Sequence, residues 1–567
     1  MWKKLGLGIK ALMLVGILLF VNIIASYIHG YVDLTEENRF TLTQATRNLL
    51  RSTNNVVLVH VLLEGDFPAG FKRLQQSTKE ILDQFASESS YIEYVFEDPN
   101  AGSVEEINTR RKELTKEGLI PTNLMVRTGS ENKEQIIFPY AILSLGERKV
   151  AVNLLESSAE LNQDENLANS ISLLEYKLAH GLQNLQTKEF KNILITTGHG
   201  ELDKDQTQSL FGNLDLFYNV GYVNLDSVPV LKKEIDLVIM AKPSLAFSEK
   251  NKFTLDQYIM NGGKVIFLID RLAMSLDSLN TRKEYIPEPL ELNLEDLLFR
   301  YGFRIEPAFV LDLECSRIPQ VIGSQGGKPQ IELFPWYYHP LLSGYGDHPI
   351  VQNIDRVNSE FPSYIDTLKT KTGVRHTILI TSSQYSRYQL SPTKIDFEIL
   401  HYKPDPSKFN KPHLPVAVLG EGIFPSLYEN RVDESMKSNL ANLQLDFKNM
   451  SKPTSVLVVA DGDIAKNLVD KETGKFSPLG YSKWERKAFN GNKDFLLNSV
   501  DYMINPDNVL AARSKEFRIR LLDRVKAENE KMKWQLINIG LPIFLLIITG
   551  LINHYIRKKK FIKLPAI

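Results

Sequence analysis

Two long apolar segments lie at opposite ends of the chain, at residues 11–28 and 534–556. Each approaches the roughly 20 apolar residues that a helix needs to cross a bilayer. Lipid offers no partners for backbone amides, so each segment is predicted to be a transmembrane helix, and Pro542 is tolerated near the start of the second. A cleaved signal peptide is the alternative for the first segment, because it shares the basic start and the apolar run. No cysteine lies there, so a lipoprotein anchor is not expected.

Basic residues flank both apolar segments on the side of the chain ends. They are Lys3, Lys4, Lys10, Arg557, Lys558, Lys559 and Lys560. Because Lys and Arg in short flanking segments stay on the cytoplasmic side, both termini are predicted to be cytoplasmic. We therefore expect residues 1–30 and 534–556 to span the cytoplasmic (inner) membrane and 557–567 to form a basic cytoplasmic tail. The bulk of the chain would be a periplasmic ectodomain held at both ends.

The first part of the ectodomain, residues 31–188, has a β-α-β pattern. The strands Val56–Leu63 and Tyr91–Phe96 flank an amphipathic stretch, Leu74–Phe85. This order suggests an α/β domain of thioredoxin-like outline. The redox version of that fold needs Cys-x-x-Cys, which the sequence lacks, so a binding or spacer module is favoured.

Further elements are predicted in the same part of the chain. Thr41 with Gln44 fits a capping box that would begin a short helix. Apolar residues at helical spacing predict one helix over Asn166–Leu185. The remaining predicted elements are the strands Asn123–Thr128, Gln135–Tyr140 and Lys149–Leu154.

The second part, residues 189–510, contains apolar strands without polar alternation, separated by amphipathic helices. This pattern predicts a parallel sheet covered on both faces. The predicted strands are Ile193–Thr197, Tyr222–Leu225, Ile235–Met240, Val265–Ile269, Phe309–Leu311, Thr377–Thr381, Pro415–Leu419 and Ser455–Ala460. The Pro- and Gly-rich segment Ser316–Asp347 is too long for a tight connection and is predicted to be a surface insertion or a functional loop.

A linking element is predicted between the ectodomain and the second span. Over residues 511–533, Phe517, Leu521 and Val525 fall near helical spacing, and charged residues occupy the other faces. We expect an amphipathic juxtamembrane helix, either a solvated linker or one lying near lipid headgroups. The sharper hypothesis is that this helix continues into the span and couples movement in the membrane to the ectodomain.

Composition restricts the function classes. The chain is 43% hydrophobic and 24% charged, and its 567 residues predict two or more domains. A formal net charge of −1 gives no electrostatic case for nucleic acid. With Cys315 as the single cysteine, no intrachain disulfide can form and thiolate metal clusters are not expected.

Polar residues at the ends of the predicted strands are the candidate ligand-binding site. Ligands of open parallel sheets bind beyond the carboxyl ends of the strands. The candidates are His199, Glu201, Asp270, Asp461 and Asp463. The amides after Gly198 and Gly200 could face an anion there. Helix capping and turn formation are an equally good explanation for each residue taken singly, and ligand type alone does not support a metal site.

Catalysis has little support in the sequence. No nucleophile-elbow Gly-x-Ser-x-Gly follows any predicted strand, and neither a Walker-type phosphate loop nor Gly-x-Gly-x-x-Gly occurs. The segment Gly323–Gly327 has the composition of a phosphate loop but is predicted to be a flexible loop. We therefore expect no catalytic residue and no cofactor. The alternative is a membrane-tethered envelope enzyme that acts on glycans through the carboxylates and His199.

Several stretches together resemble one family in their order and spacing. They are Asp33–Thr46, Ile193–Glu201, His348–Val351, Ser382-Ser383, Ala417–Tyr428, Val456–Asp463, Pro478–Tyr481, Asn492–Asn498, Arg518–Val525 and Lys531–Pro542. Over nearly its full length the chain resembles the GldG family, gliding-motility-associated accessory or "substrate-binding" subunits of ABC transporters.

The resemblance implies partners and a fold. Such proteins act with a membrane permease and, through it, a cytoplasmic ATPase. Their central domain is similar to one in an intraflagellar-transport protein and to flavodoxin-, sugar-binding or amidotransferase-like α/β folds, so a carbohydrate or another envelope ligand is implied. The family supplies no catalytic residue to transfer. The expected protein is a two-span α/β membrane protein with a thioredoxin-like domain and a parallel-sheet domain.

Overall fold

The computed structural model describes residues 41–128, 131–156, 163–187, 190–282, 284–325, 328–429, 431–432, 447–470, 472–505, 509–514 and 531–561, with four positions near the N-terminus. The chain forms two compact units, Met1–Glu516 and Phe517–Ile567. Apart from those four positions, the predicted first span at residues 1–30 lies outside the described residues.

Among the described residues, the first part of the larger unit contains six strands and five helices. The strands are β1 Val57–Val61, β2 Ile92–Phe96, β3 Thr122–Thr128, β4 Glu131–Ile137, β5 Tyr140–Leu145 and β6 Arg148–Asn153. The helices are α1 Gln44–Arg51, α2 Ala69–Glu88, α3 Val104–Lys116, α4 Gln163–Ser172 and α5 Leu174–Gln186.

Four of these strands form a sheet in the order β2-β1-β5-β6. β1 and β2 run parallel, whereas β5 is antiparallel to both β1 and β6. β3 and β4 form a separate antiparallel hairpin. Helix α2 buries Phe71, Leu74, Leu82 and Phe85, which recur at helical spacing along one face. The β-α-β pattern of the sequence is therefore present.

Three local predictions were wrong in this part. Helix α1 is capped by Thr43, whose hydroxyl accepts from the amide of Thr46, so the predicted Thr41 and Gln44 capping box does not begin it. The predicted helix 166–185 is two helices, α4 and α5. The predicted strand 135–140 ends at Ile137, because Pro139 has no amide to donate to the ladder, and the unpredicted strand β5 follows it.

The second part contains most of the strands of the larger unit. The longer ones are β7 Asn192–Thr197, β8 Asn219–Asn224, β9 Ile235–Ala241, β10 Lys264–Leu268, β13 Ala308–Asp312, β14 Cys315–Gln325, β15 Lys328–Gly344, β18 Arg375–Thr381, β19 Ser386–Leu390, β21 Pro415–Gly422 and β22 Thr454–Val459. The short ones are β11 Glu284–Tyr285, β12 Phe303–Ile305, β16 Val357–Asn358, β17 Ile365–Thr367, β20 Ile395–Asp396, β23 Tyr481–Ser482 and β24 Lys487–Ala488.

In the described portion of this part, five α-helices and several short 3₁₀ helices accompany these strands. The α-helices are α6 Gln208–Asp215, α7 Glu249–Met260, α8 Leu276–Arg282, α9 Glu295–Arg300 and α10 Gly491–Ile504. The 3₁₀ helices are Leu225–Ser227, Phe397–His401, Pro406–Lys408, Asp463–Ala465 and Val509–Ser514.

A ten-stranded sheet dominates this part, in the order β14-β15-β18-β21-β22-β10-β9-β7-β8, with β16 beside β15. The strands from β22 to β8 are parallel to one another. The strands from β14 to β21 pair in antiparallel fashion. The prediction of a wholly parallel sheet was therefore wrong for one side. Both kinds of strand are buried apolar runs, and burial does not reveal strand direction.

The segment Ser316–Asp347 was predicted to be a surface insertion or a functional loop. It is largely a β-hairpin, formed by β14 and β15, so the prediction of a loop was wrong. Pro319 and Pro329 suggest a loop in the sequence, but an edge strand and a bulged hairpin tolerate proline. The pairing shifts register between Cys315 and Arg317 and again between Val321 and Gly323. At the base of the hairpin, Trp336 is fully buried in a second hydrophobic cluster with Phe309. Of the predicted flexible loop Gly323–Gly327, residues 326 and 327 lie outside the described residues.

One hydrophobic core extends through both sheets of the larger unit. It runs from Leu42, before α1, to Ala512 and includes β1 of the small sheet and β9 of the large one. Arg513 was expected to belong to the juxtamembrane helix. Its guanidinium is instead buried, 3.0 Å from the Asp494 carboxylate and over the Tyr176 ring. Of that prediction, residues 511–514 lie in the 3₁₀ helix Val509–Ser514 and residues 531–533 lie in the helix Lys531–Phe561. Residues 515–530 lie outside the described residues.

The second unit contains helix α11, Lys531–Phe561. Within it, Met532–Lys559 is long and apolar enough to cross a membrane, with a mean hydropathy of 2.1 over its most apolar window. Among the described residues it is the one helix that meets this test. Its apolar side chains are exposed on all faces, as in a helix surrounded by lipid.

We expect Phe267→Ala to lower the free energy of unfolding by about 3–5 kcal/mol, because it leaves a cavity in the middle of the large sheet. Phe267 is 0% exposed. The matched control is Phe476→Ala, which removes a 44% exposed ring. Its free energy of unfolding should stay within about 0.5 kcal/mol of the wild-type value. Guanidinium denaturation of the full chain in detergent measures both. Equal midpoints for the two variants would contradict this position of the core.

Candidate functional site

Three neighbouring parallel strands, β9, β10 and β22, end at the same edge of the large sheet. Lys242 follows β9, Asp270 follows β10, and Asp461 and Asp463 follow β22. Carboxyl ends of parallel strands are where such sheets bind ligands. The structure therefore brings three of the five candidate residues together and adds Lys242, which was not among the candidates.

One carboxylate oxygen from each of Asp270, Asp461 and Asp463 lies within 4.8 Å of the other two. The Lys242 ammonium stands among them, 3.1 Å from Asp270 and in direct contact with Asp463. Lys466 approaches the other oxygen of Asp463 to 3.2 Å. We call these five residues the strand-end cluster. Lys242 and Lys466 thus supply the positive charge that a bound cation would otherwise supply to these carboxylates.

Backbone amides complete the contacts of the cluster. The Gly462 amide donates to Asp270 at 2.6 Å, and the Asp463 amide donates to Asp461 at 2.8 Å. The other oxygen of Asp461 accepts from the Glu360 amide at 3.0 Å. A side chain at Gly462 would collide with Lys242, since an added Cβ would lie 2.5 Å from the lysine Cβ. The close approach of the two loops thus requires glycine.

Burial and neighbouring charges separate the pKa values within the cluster. Burial opposes the charge on Lys242, but Asp463 and Asp270 raise its pKa above the ordinary value. Burial also opposes ionisation of Asp463, yet the two lysines lower the pKa of that carboxyl to about 2. Burial, with repulsion from Asp463 and Asp270, raises the pKa of Asp461 well above its usual range. Lys242 is therefore a protonated partner at neutral pH.

Two groups from the antiparallel side of the sheet add to the surroundings. Burial raises the pKa of Glu360, and Asp463 raises it further. His339 is 5% exposed, and burial lowers its pKa to about 3, so the imidazole is neutral. Among the described atoms, its Nε2 has no hydrogen-bond partner. The sequence offered no signal for these two residues, because they come from segments that were not predicted to reach this edge.

The other two candidates, His199 and Glu201, lie in the loop after β7 and do not join the strand-end cluster. The His199 ring stacks on Phe247 with 3.9 Å between centroids, and its Nε2 lies 3.0 Å from the Asn251 side-chain amide. That amide also donates to Asp226 at 2.6 Å. Since Nε2 accepts from Asn251, we assign the ring proton to Nδ1, which faces Glu201 at 3.8 Å.

The amide after Gly198, one of the two expected to face an anion, is already hydrogen-bonded within this loop. The His199 amide donates to the Glu201 carboxylate at 2.5 Å. Burial opposes ionisation of Glu201, but the His199 ring and the backbone amides of Glu201 and His199 hold its pKa below the ordinary value. The predicted anion site after Gly198 is thus filled by the side chain of the chain itself. Both glycines have positive φ, +108° at Gly198 and +68° at Gly200.

The loop after β9 connects the two groups. The amides of Ser244 and Leu245 both donate to the His199 carbonyl at 2.9 Å, and Lys242, two residues earlier, belongs to the strand-end cluster. A metal set of His199, Glu201, Asp461 and Asp463 does not fit this arrangement. Among the described residues, the acidic side chains close enough to share an ion are those of Asp270, Asp461 and Asp463, and Lys242 already pairs with two of them.

The fold and this site define an α/β protein with a mixed sheet, a charged cluster at the strand ends and a candidate membrane helix. Residues 191–499 match the auxiliary-protein family described as an ABC-type uncharacterized transport system. The chain belongs to this family, so it has an accessory role in an ABC-type transport system and associates with an ABC transporter. Residues 36–144 match a second family, a domain of unknown function, DUF7088.

Individual proteins are more distant from this chain. It is similar to an uncharacterized protein of Borreliella burgdorferi, with 23% identity over 456 residues, which cover 78% of this chain and 82% of the relative. The mmIFT52 N-terminal domain gives a TM-score of 0.31 at 10% identity, covering 55% of this chain and 97% of that domain. An exo-β-1,4-mannosidase from Opitutaceae bacterium strain TAV5 gives a TM-score of 0.19 at 8% identity, covering 62% of this chain and 39% of the mannosidase. Scores this low carry no argument about fold or function.

We expect Lys242→Met to lower the free energy of unfolding by about 3–5 kcal/mol at neutral pH, because it leaves the buried Asp270 carboxylate without its cation and Asp463 with Lys466 alone. The stability that the wild type gains from the lowered pKa of Asp463 is complete above its ordinary value of 3.8 and is lost as the pH falls toward about 2. The wild-type and variant stabilities should therefore converge below pH 3.8.

Denaturation curves of the full chain at several pH values measure this difference. Lys233→Met is the matched control, since Lys233 is exposed and its loss should cost less than about 0.5 kcal/mol at any pH. A Lys242→Met deficit that does not change with pH would show that the ammonium does not stabilise Asp463.

Proposed function

We propose that this chain is a non-enzymatic, membrane-anchored accessory subunit that acts with an ABC permease and, through it, a cytoplasmic ATPase. The family match over residues 191–499 carries the proposal, because it covers all of the large sheet and the strand-end cluster. The resemblance to the GldG family extends it to a gliding-motility system. In this proposal the body of the protein presents a ligand or provides a scaffold at the periplasmic face.

The chemistry of the site supports a binding or scaffolding role. Lys242 is protonated at neutral pH, and an ammonium has no free pair of electrons with which to attack a substrate. Burial and the nearby Asp312 raise the pKa of the Cys315 thiol to about 12, so it is not a thiolate. The five candidate residues lie in two separate groups whose contacts come from the chain itself. The glycan-acting alternative gains no support from this arrangement.

The proposed body has two domains, residues 31–188 and 189–510. The strand order β2-β1-β5-β6, with one parallel pair followed by antiparallel strands, supports a thioredoxin-like outline for the first. The neighbouring parallel strands β22 to β8 support a flavodoxin- or amidotransferase-like relationship for the second. Both domains would lie in the periplasm, between two spans of the inner membrane with cytoplasmic termini.

We expect a permease and an ATPase to copurify with the tagged full chain in mild detergent. The measurement is mass spectrometry of the purified complex from native membranes. Replacing residues 531–561 by an unrelated membrane-spanning helix is the matched control. It keeps the anchor and tests whether the natural helix contributes to the interface. Purification of the full chain without any permease would contradict the proposed association with a permease.

Reporter fusions test the proposed topology. A cytoplasm-active reporter after Ile567 should be active, because the basic residues Arg557–Lys560 at the end of α11 stay on the cytoplasmic side. A periplasm-active reporter at the exposed residue Lys233 should be active as well. The opposite pair of activities would place the body in the cytoplasm. N-terminal sequencing of the mature chain separates a first span from a cleaved signal peptide.

A further inference from the structure

A cavity of about 480 Å³ lies beside the strand-end cluster, on the other side of the end of β10. Ile269 and Arg271 line it, whereas Asp270 between them belongs to the cluster. The remaining walls come from the segment before α9, from α9 itself and from β12 with the residues after it. The cavity therefore lies at the carboxyl edge of the parallel strands, where ligands of such sheets bind.

The inner lining of this cavity is aliphatic and aromatic. Leu294, Leu298 and Phe303 line it and are 1%, 4% and 0% exposed, whereas Phe299, which also lines it, is 57% exposed. The cavity thus extends from a buried apolar floor to an apolar group at the surface. Such a lining favours a ligand that is itself apolar.

The charged residues of the lining are neutralised by one another or by close neighbours. Arg271 pairs with Glu295 at 3.2 Å. Arg304 pairs with Glu306 and with Asp366. Asp296, the remaining charged residue, pairs with Lys252 at 3.1 Å. A charged ligand group would have to compete with these pairs, so the electrostatics favour an uncharged group in the cavity.

The volume limits the kind of apolar group. An enclosed cavity of about 150 Å³ lined by Leu, Ile and Phe is large enough for benzene. The cavity in this protein has about 480 Å³, which is more than one aromatic ring fills. A long flexible hydrocarbon fits such a volume. Helix α11 exposes apolar side chains on all faces, as a membrane-spanning helix does, so the lipids of the membrane are a source of such hydrocarbon chains for this protein.

We propose that this cavity binds the acyl chain of a lipid. The inference rests on the proposed ligand-presenting role and names the class of ligand. Ile269, Leu294, Leu298 and Phe303 contact the hydrocarbon, and Phe299 lies at the entrance. Burial of apolar surface supplies the affinity, and the paired charges around the cavity leave the acyl chain without a charged partner.

Photolabelling of the full chain in lipid nanodiscs tests this site. The probe is palmitic acid with a diazirine in its chain, and peptide mapping locates the label. We expect labelling within residues 292–307 of the wild type. Phe299→Glu places an unpaired carboxylate at the entrance and should reduce that labelling by about tenfold. Phe476→Glu, at a 44% exposed ring outside the lining, is the matched control and should not change it.

A second variant fills the cavity from within. Leu298→Trp should also abolish labelling of residues 292–307, and its melting temperature shows whether it folds. Because Phe299 is exposed, Phe299→Glu still tests the site if Leu298→Trp does not fold. Label confined to α11, or equal label in Phe299→Glu and the wild type, would overturn the proposal. Permease copurification from the same preparations separates the two hypotheses, since intact association without label overturns the lipid site alone.

Discussion

The ammonium of Lys242, held between Asp270 and Asp463, is the contact on which this edge of the protein depends. Each of the three residues follows a different strand of the parallel side, and the strands β9, β10 and β22 are neighbours. Taking these charges out of water is costly, so the loops that bear them can be buried only together. The Lys242 backbone has a φ of +57°, which shows how closely the chain is constrained there.

The same edge separates two environments with opposite chemistry. Asp270 faces the charged cluster, and its neighbours Ile269 and Arg271 line the apolar cavity. Alternation of side chains at a strand end accounts for this separation. A charged network that is satisfied by its own chain holds the loops in place, and the adjacent apolar volume remains available for a ligand. Scaffolding and binding are thus compatible in one protein of this family.

The buried parallel strands could be predicted from the sequence because they are uninterrupted apolar runs. The same rule about strand ends selected Asp270, Asp461 and Asp463, which do converge. Lys242 occupies an equivalent position and was within reach of that rule. His199 and Glu201 were selected on the same grounds, yet they form their own group, because His199 turns toward Phe247 and Asn251.

Other features have no signal in a single sequence. Strand direction is absent from an apolar pattern, so β18 and β21 gave no sign of being antiparallel. The hairpin of β14 and β15 was not predicted, because its prolines are typical of a loop, although an edge strand also tolerates them. The burial of Arg513 depends on Asp494 and Tyr176, which are distant from it in the chain and are brought to it by the fold.

The hydrophobic core that passes from Leu42 to Ala512 has a consequence for how this protein can be dissected. Helix α5 buries Leu178 and Leu182 in that shared interior. The hydroxyl of its Tyr176 donates to Asn498, which lies in α10, 322 residues later in the chain. A fragment that stops after the small sheet would expose this apolar face of α5 to water. The two sheets therefore share one hydrophobic interior, and we expect either half expressed alone to aggregate more readily than the whole body.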